Sequence, residues 1–281
     1  MELQELPFGL YEKSICTSWP WEDKFALVKD AGYDYLEIAI DGTPEKLARL
    51  DNLQEMKEIR RCSEKYDLPL YTFAFTANRF FPLGEPDASI RKEGIRLLGK
   101  ACDFAAYVGA RIINIAAYDV YEKPGSAETE RLFLESLAEC ADLAASRGVI
   151  ISLETMDSPF ISTTERAMEF VRMTDSPFIQ IGADPANITA FGHDPVTDIP
   201  KGGRHVVEVE FKDALPGEVR DIALGTGIVD FAGVFRMLKD IRYQGFLAFE
   251  TWAYEDPSRH HVIYKALEFL KKKMFEALSA V

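Results

Sequence analysis

Several classes of function are removed by what the chain has little of. Histidine occurs only at His193, His205, His260 and His261. Cysteine occurs only at Cys16, Cys62, Cys102 and Cys140, with no Cys-x-x-Cys spacing and no histidine near enough to complete a zinc knuckle. Reduced, mostly buried thiols in a cytoplasmic protein are therefore expected. No stretch approaches the roughly 20 apolar residues of a membrane helix, and Met1 to Leu10 lacks the charged start, apolar run and cleavage site of a secretory leader. Basic residues are outnumbered 32 to 46, giving a formal charge of −14. That charge repels phosphate backbones and anionic membranes, so neither nucleic acid nor membrane is an expected partner.

What the chain does have is alternation. Short apolar runs and longer amphipathic segments follow one another through eight units. The expected strands are Phe8 to Tyr11, Tyr35 to Ile40, Leu68 to Phe75, Arg111 to Ala116, Val149 to Glu154, Phe178 to Asp184, His205 to Phe211 and Phe246 to Glu250. Helical spacing marks Trp21 to Ala31, Asp51 to Tyr66, Ile90 to Val108, Glu128 to Arg147, Thr163 to Met173, Phe231 to Ile241 and Arg259 to Leu278. Only the unit around Pro195 to Gly202 is poorly helical. Gly32 and Gly148 follow the first and fourth of these helices, where the chain must reverse.

A doubly wound sheet shares this alternation, but no glycine-rich dinucleotide loop follows the first strand. Gly9 stands alone inside that strand, followed by Glu12 and Lys13. Polar residues sit instead at nearly every strand's carboxyl end, which predicts a single-domain (β/α)8 barrel over residues 1–281. These are Glu12 and Lys13, Glu37, Asn78 and Arg79, Tyr118 and Asp119, Glu154 and Asp157, Asp184 and Asn187, Glu210 and Lys212, and Glu250.

Four carboxylates, Glu154, Asp184, Glu210 and Glu250, come from strands five to eight. Gathered at one mouth without a cation they would repel each other, so a divalent metal is the expected occupant. Alternation along the seventh strand puts Glu208, Glu210 and Lys212 on the lumen face and turns His205 away from it. The other three histidines fall in loop or helix and are expected to face water.

The stretches around these residues resemble the L-ribulose-5-phosphate (L-xylulose-5-phosphate) 3-epimerases of the xylose-isomerase-like barrel superfamily. They are Gly9-Leu-Tyr-Glu-Lys13, Arg79-Phe-Phe-Pro-Leu-Gly84, Ala117-Tyr-Asp-Val-Tyr121, Glu154-Thr-Met-Asp-Ser-Pro159, Phe211-Lys-Asp213 and Gly225-Thr-Gly-Ile-Val-Asp-Phe231. They span nearly the whole chain in order. The resemblance implies a metal held at Glu154, Asp184, Glu210 and Glu250, with Glu210 standing where the family carries histidine. That replacement favours Mg²⁺ or Mn²⁺ over zinc. Asn78 likewise stands where relatives have histidine.

Epimerisation at C3 of a 2-ketose needs a proton removed from one face and returned to the other, and Glu154 and Glu250 are the candidate pair. Lys212 would offset the developing negative charge. Lys13, Asn78 and Arg79 are the phosphate candidates, with Lys212 in reserve. Gly225 and Gly227 suit either a phosphate cradle or a plain turn before an Asp230 helix cap. Glu12 and Glu37 suit either sugar hydroxyls or pairing with Lys13 and Arg79. Tyr118 and Trp252 suit either the substrate pocket or packing.

The competing readings are an aldose–ketose isomerase, an abasic-DNA endonuclease and a non-catalytic sugar-phosphate binder. The acidic charge and scarce histidine oppose the endonuclease, while Glu210 motivates the binder. A homodimer is what the resemblance implies.

Overall fold

Eight parallel strands close on themselves in chain order in the computed structural model, which describes residues 2–279. The strands are β1 (Phe8–Tyr11), β2 (Tyr35–Ile40), β3 (Thr72–Phe75), β4 (Ile112–Ala116), β5 (Ile150–Glu154), β6 (Ile179–Ala183), β7 (Val206–Phe211) and β8 (Phe246–Phe249). Closure is made by β1 against β8, with Gly9 opposite Ala248. The result is the expected single-domain (β/α)8 barrel, and among the described residues no helix is long and apolar enough to cross a membrane.

The outer ring consists of α1 (Trp21–Asp30), α2 (Pro44–Ala48), α3 (Leu53–Tyr66), α4 (Ala88–Val108), α5 (Ala127–Arg147), α6 (Thr164–Thr174), α7 (Pro185–Ala190), α8 (Pro195–Asp198), α9 (Phe231–Asp240) and α10 (His261–Ser279). Local chemistry sets their ends. Ser126 caps α5 by accepting from the Thr129 amide, and Gly148 closes it with φ +66°. Gly32 follows α1 with φ +82°, so both reversals expected from glycine occur. After β6 the chain makes only α7, α8 and a 3-10 segment, the weakly helical unit the sequence indicates.

Two expectations are corrected in detail. The third strand begins at Thr72 rather than Leu68 because Pro69 has no amide to give the ladder, although Leu68 and Leu70 are still buried. His260 is not solvated: its Nε2 accepts from the Cys16 amide at 3.2 Å, and its ring meets Trp19 edge-on. The four cysteines are buried and unpaired, as expected.

Between barrel and helices lies a continuous apolar layer that includes Phe73, Phe104, Phe211 and Phe235. Along α10, Leu270 and Met274 are core, whereas Phe275 is 70% exposed. Gly9 is required by packing, not by a nucleotide: a Cβ there would lie 2.1 to 2.6 Å from atoms of the buried Tyr35 ring. Where β6 meets β7 the register shifts, so Ile181 pairs Val206 but Gly182 pairs Glu208. Beyond this irregularity Glu208 and Glu210 point into the lumen, as the alternation indicates.

Candidate active site

The carboxyl ends of the strands surround a cavity of about 570 Å³, and Lys13, Arg79, Tyr118, Glu154, Glu210, Lys212 and Glu250 all line it. Glu154 ends β5, in register between Ala116 of β4 and Gly182 of β6. Its Oε1 accepts from Asn187 Nδ2 at 3.2 Å. Asp184 is the N-cap of α7: its Oδ1 accepts from the amides of Ala186 at 2.8 Å and Asn187 at 3.0 Å, while Oδ2 faces the Lys212 ammonium. Glu210 accepts at Oε1 from Asn114 Nδ2 at 2.8 Å, and Asn114 is oriented by the Ser152 hydroxyl at 2.9 Å.

Oxygens of Glu154, Asp184 and Glu210 lie within 4.8 Å of one another, and all three residues are buried. Burial and like charge raise their pKa values together. Burial, then Glu250 and Asp184, push Glu154 up to about 8 against the opposing pull of Lys212. Burial, followed by Glu154 and Glu37, holds Glu210 well above the carboxylate range. Three close carboxylic oxygens of this kind suit a hard divalent cation, and the donor set fits one.

The fourth acid of the expected set is arranged differently. Glu250 stands outside this trio, with Oε2 2.6 Å from Lys212 Nζ, and the same ammonium bonds Asp184 Oδ2. Burial would lower the Lys212 pKa, but Asp184 and Glu250 outweigh it and hold the lysine firmly charged.

Several residues expected at the site lie elsewhere. Glu12 is fully buried behind the cavity wall and binds neither sugar space nor Lys13 nor Arg79. Its oxygens hold Lys24 at 2.7 Å, Lys46 at 2.9 Å, Arg49 at 2.7 Å and the Ala39 amide at 3.0 Å. This knot ties the end of β1 to β2, α1 and the segment after α2. Glu37 points deep into the lumen, where Thr72 donates to it at 3.0 Å. Asn78 is buried against the Ala116 carbonyl and is absent from the lining. Lys13 lines the cavity but is paired with Asp41 at 2.6 Å.

The alternatives at Gly225 and Gly227 resolve as a turn. Both amides donate to Asp213 Oδ2, at 2.8 and 2.9 Å, and Asp230 caps α9 through the Gly233 amide at 2.8 Å.

Arg220, in the long segment after β7, is a lining residue that no periodic signal marks. Its guanidinium stacks over Trp252 at 4.9 Å, which also places Trp252 in the wall. Arg79 lies over the rings of Tyr118 and Tyr121, at 5.7 and 5.8 Å, with Nε buried and unpartnered. Neither arginine forms an ion pair with a carboxylate among the described residues. The cavity therefore combines a carboxylate trio, a lysine-held glutamate and two guanidinium groups without a carboxylate partner among the described residues, a composition suited to a small polar anion.

Residues 25–273 match the family described as the xylose isomerase-like TIM barrel. The chain is 32% identical to the L-ribulose-5-phosphate 3-epimerase UlaE of Shigella sonnei (strain Ss046) over 277 residues, 98% of this chain and 97% of that protein. The protein of the same name from Escherichia coli O157:H7 matches equally, at 32% over 277 residues with the same shares. Among solved structures, D-allulose 3-epimerase from Methylomonas sp. in complex with D-allulose superimposes with a TM-score of 0.79 at 24% identity, covering 95% of this chain and 97% of that one. At that identity the likeness extends to the fold.

Proposed function

Since the chain belongs to the xylose isomerase-like TIM-barrel family, among the L-ribulose-5-phosphate 3-epimerases, we propose that it interconverts L-xylulose 5-phosphate and L-ribulose 5-phosphate at C3. The observation that carries this reading is the placement of Glu154 and Glu250, from β5 and the end of β8, on the wall of one cavity. They are three strands apart around the barrel, so a sugar between them presents opposite faces.

The proton balance is simple. Glu250, paired with Lys212 at 2.6 Å, takes the C3 proton and becomes the acid. Glu154 faces the other side of C3 and, in the turnover in which it carries the proton, delivers it there and becomes the carboxylate. The reverse reaction exchanges the roles. Lys212 offsets charge growing on the ketone oxygen, and Arg79 and Arg220 bind the phosphate as uncommitted guanidinium groups.

Glu154, Asp184 and Glu210 would hold a divalent cation, with Mg²⁺ or Mn²⁺ preferred to zinc by an all-carboxylate set. When bound it supplies Lewis-acid stabilisation of the negative charge at O2 and O3. A cytoplasmic homodimer is the proposed state, by analogy with the family.

The test is incubation with L-xylulose 5-phosphate and Mn²⁺ or Mg²⁺ in D₂O, following deuterium at C3 by NMR beside a Glu154→Gln control. Deuterium incorporation with formation of L-ribulose 5-phosphate, both lost in the control, supports the epimerase. Substrate binding without exchange under any divalent metal supports the binder that Glu210 motivates, and a C1–C2 exchange pattern supports the isomerase.

A further inference from the structure

Beneath the trio at the mouth, the barrel contains a second acidic group, of which Glu37 and Glu208 play no part in the proposed reaction. Glu37 of β2 and Glu208 and Glu210 of β7 are all buried, with oxygens within 4.8 Å of one another. Glu208 has no exposed surface, and among the described residues neither of its oxygens has a hydrogen-bond partner. Glu37 Oε2 is equally orphaned, while its Oε1 has only the Thr72 hydroxyl. Nearby donors are turned elsewhere: the Tyr35 hydroxyl donates to the Leu247 carbonyl at 3.0 Å and the Tyr243 hydroxyl to the Phe246 carbonyl at 2.9 Å.

A buried polar atom without a partner costs on the order of 1–3 kcal/mol, and more when charged, so three orphan oxygens in one place need a physical cause. The fold supplies a contrast. Glu12, just as buried, is surrounded by Lys24, Lys46 and Arg49, whereas no side-chain cation pairs with Glu37, Glu208 or Glu210 among the described residues. A cation bound from solution would satisfy all three oxygens. Three carboxylates suit a hard divalent ion.

We propose that Glu37, Glu208 and Glu210 form a second divalent-cation site deep in the lumen, with Glu210 shared between it and the trio at the mouth. Glu210 would form the bridge between the two sites, one nearer the mouth and one deeper in the lumen. Asn114, bonded to Oε1, steadies the bridge.

The experiment is Mn²⁺ stoichiometry, by calorimetry and by metal analysis after gel filtration, on wild type, Glu208→Ala and Asp184→Asn, with electron paramagnetic resonance of the wild type. Two ions per chain in wild type, with an exchange-coupled spectrum, and one ion in each variant are expected. One ion that is lost in Glu208→Ala but kept in Asp184→Asn would still support the deep site while overturning the metal reading at the mouth. One ion, kept in Glu208→Ala and lost in Asp184→Asn, overturns the deep site and leaves the mouth reading standing. If Glu208→Ala does not fold, Glu37→Gln takes its place. Infrared bands of buried carboxylic acids that persist in wild type at saturating Mn²⁺ also overturn the proposal, because protons and not an ion then neutralise the group.

Discussion

Asn114 Nδ2 donates to Glu210 Oε1 at 2.8 Å across the lumen, from β4 to β7. The amide cannot readily turn over, because its own oxygen accepts from Ser152 at 2.9 Å and lies where a Cβ on Gly182 would be, 2.5 Å away. Glu210 is thus held in place as an acceptor, with its other oxygen available. Replacing it by the histidine of the resembled family changes the donor set from three carboxylates to two carboxylates and an imidazole. The Glu210→His protein should shift its preference from Mg²⁺ and Mn²⁺ toward Zn²⁺, following ligand softness. Competitive calorimetry with the three metals checks this, and an unchanged order of affinity would remove Glu210 from the ligand set.

Proton competition is expected at the trio. Burial, Glu250 and Asp184 raise Glu154 to about 8, so the metal-free protein carries a proton there at pH 7. An entering cation must expel it, and apparent metal affinity should climb as pH rises toward 8 and then level off. Titrating Mn²⁺ in buffers of different ionisation enthalpy measures the protons released. Zero release at pH 7, with a pH-independent affinity, would contradict the raised value.

The Glu12 knot gives a stability prediction. Burial alone would raise the Glu12 pKa, but Arg49, Lys24 and Lys46 outweigh it and hold it well below the ordinary range. A depressed folded pKa means that stability is gained above the unfolded value of about 4.3 and lost as pH falls through the lower folded value. Glu12→Ala leaves three cations gathered without their anion and should cost about 3–5 kcal/mol at pH 7, with the difference from wild type shrinking in acid. Urea denaturation of both proteins at pH 7 and in the acid range tests the size and the direction.

The two uncommitted arginines should act on substrate binding rather than on folding. Arg79→Ala and Arg220→Ala each remove one charged hydrogen-bonding group worth about 1.5–3 kcal/mol, which corresponds to a rise in KM of about 10- to 150-fold. Inorganic phosphate should compete with substrate in wild type and more weakly in both variants. A drop in kcat at unchanged KM would instead move either residue from the phosphate to the reacting end.

Much of the site was legible because strand periodicity is local. Alternation along Glu208, Glu210 and Lys212 placed all three on the lumen side, and the structure keeps them there. Glu12 was misread because its partners Lys24, Lys46 and Arg49 lie 12, 34 and 37 residues away, on elements whose approach no local pattern encodes. Arg220 was invisible for a related reason, since it sits in an irregular segment with neither helical nor strand spacing. Asn78 looked like a phosphate ligand by its position beside Arg79, yet its amide turns to the Ala116 carbonyl while Arg79 turns to the aromatic rings.

By itself, the sequence determined the alternating elements, the barrel and the acidic strand ends, because each depends on spacing within a few residues. Tertiary structure alone decided how deep each acid sits and what neutralises it. Strand tilt and stagger set the depth, dropping Glu37 and Glu208 below the mouth while leaving Glu154 and Glu250 on the cavity wall. The returning segments decide which acids meet a lysine or arginine, so Glu12 and Glu250 have such partners and, among the described residues, Glu208 has none.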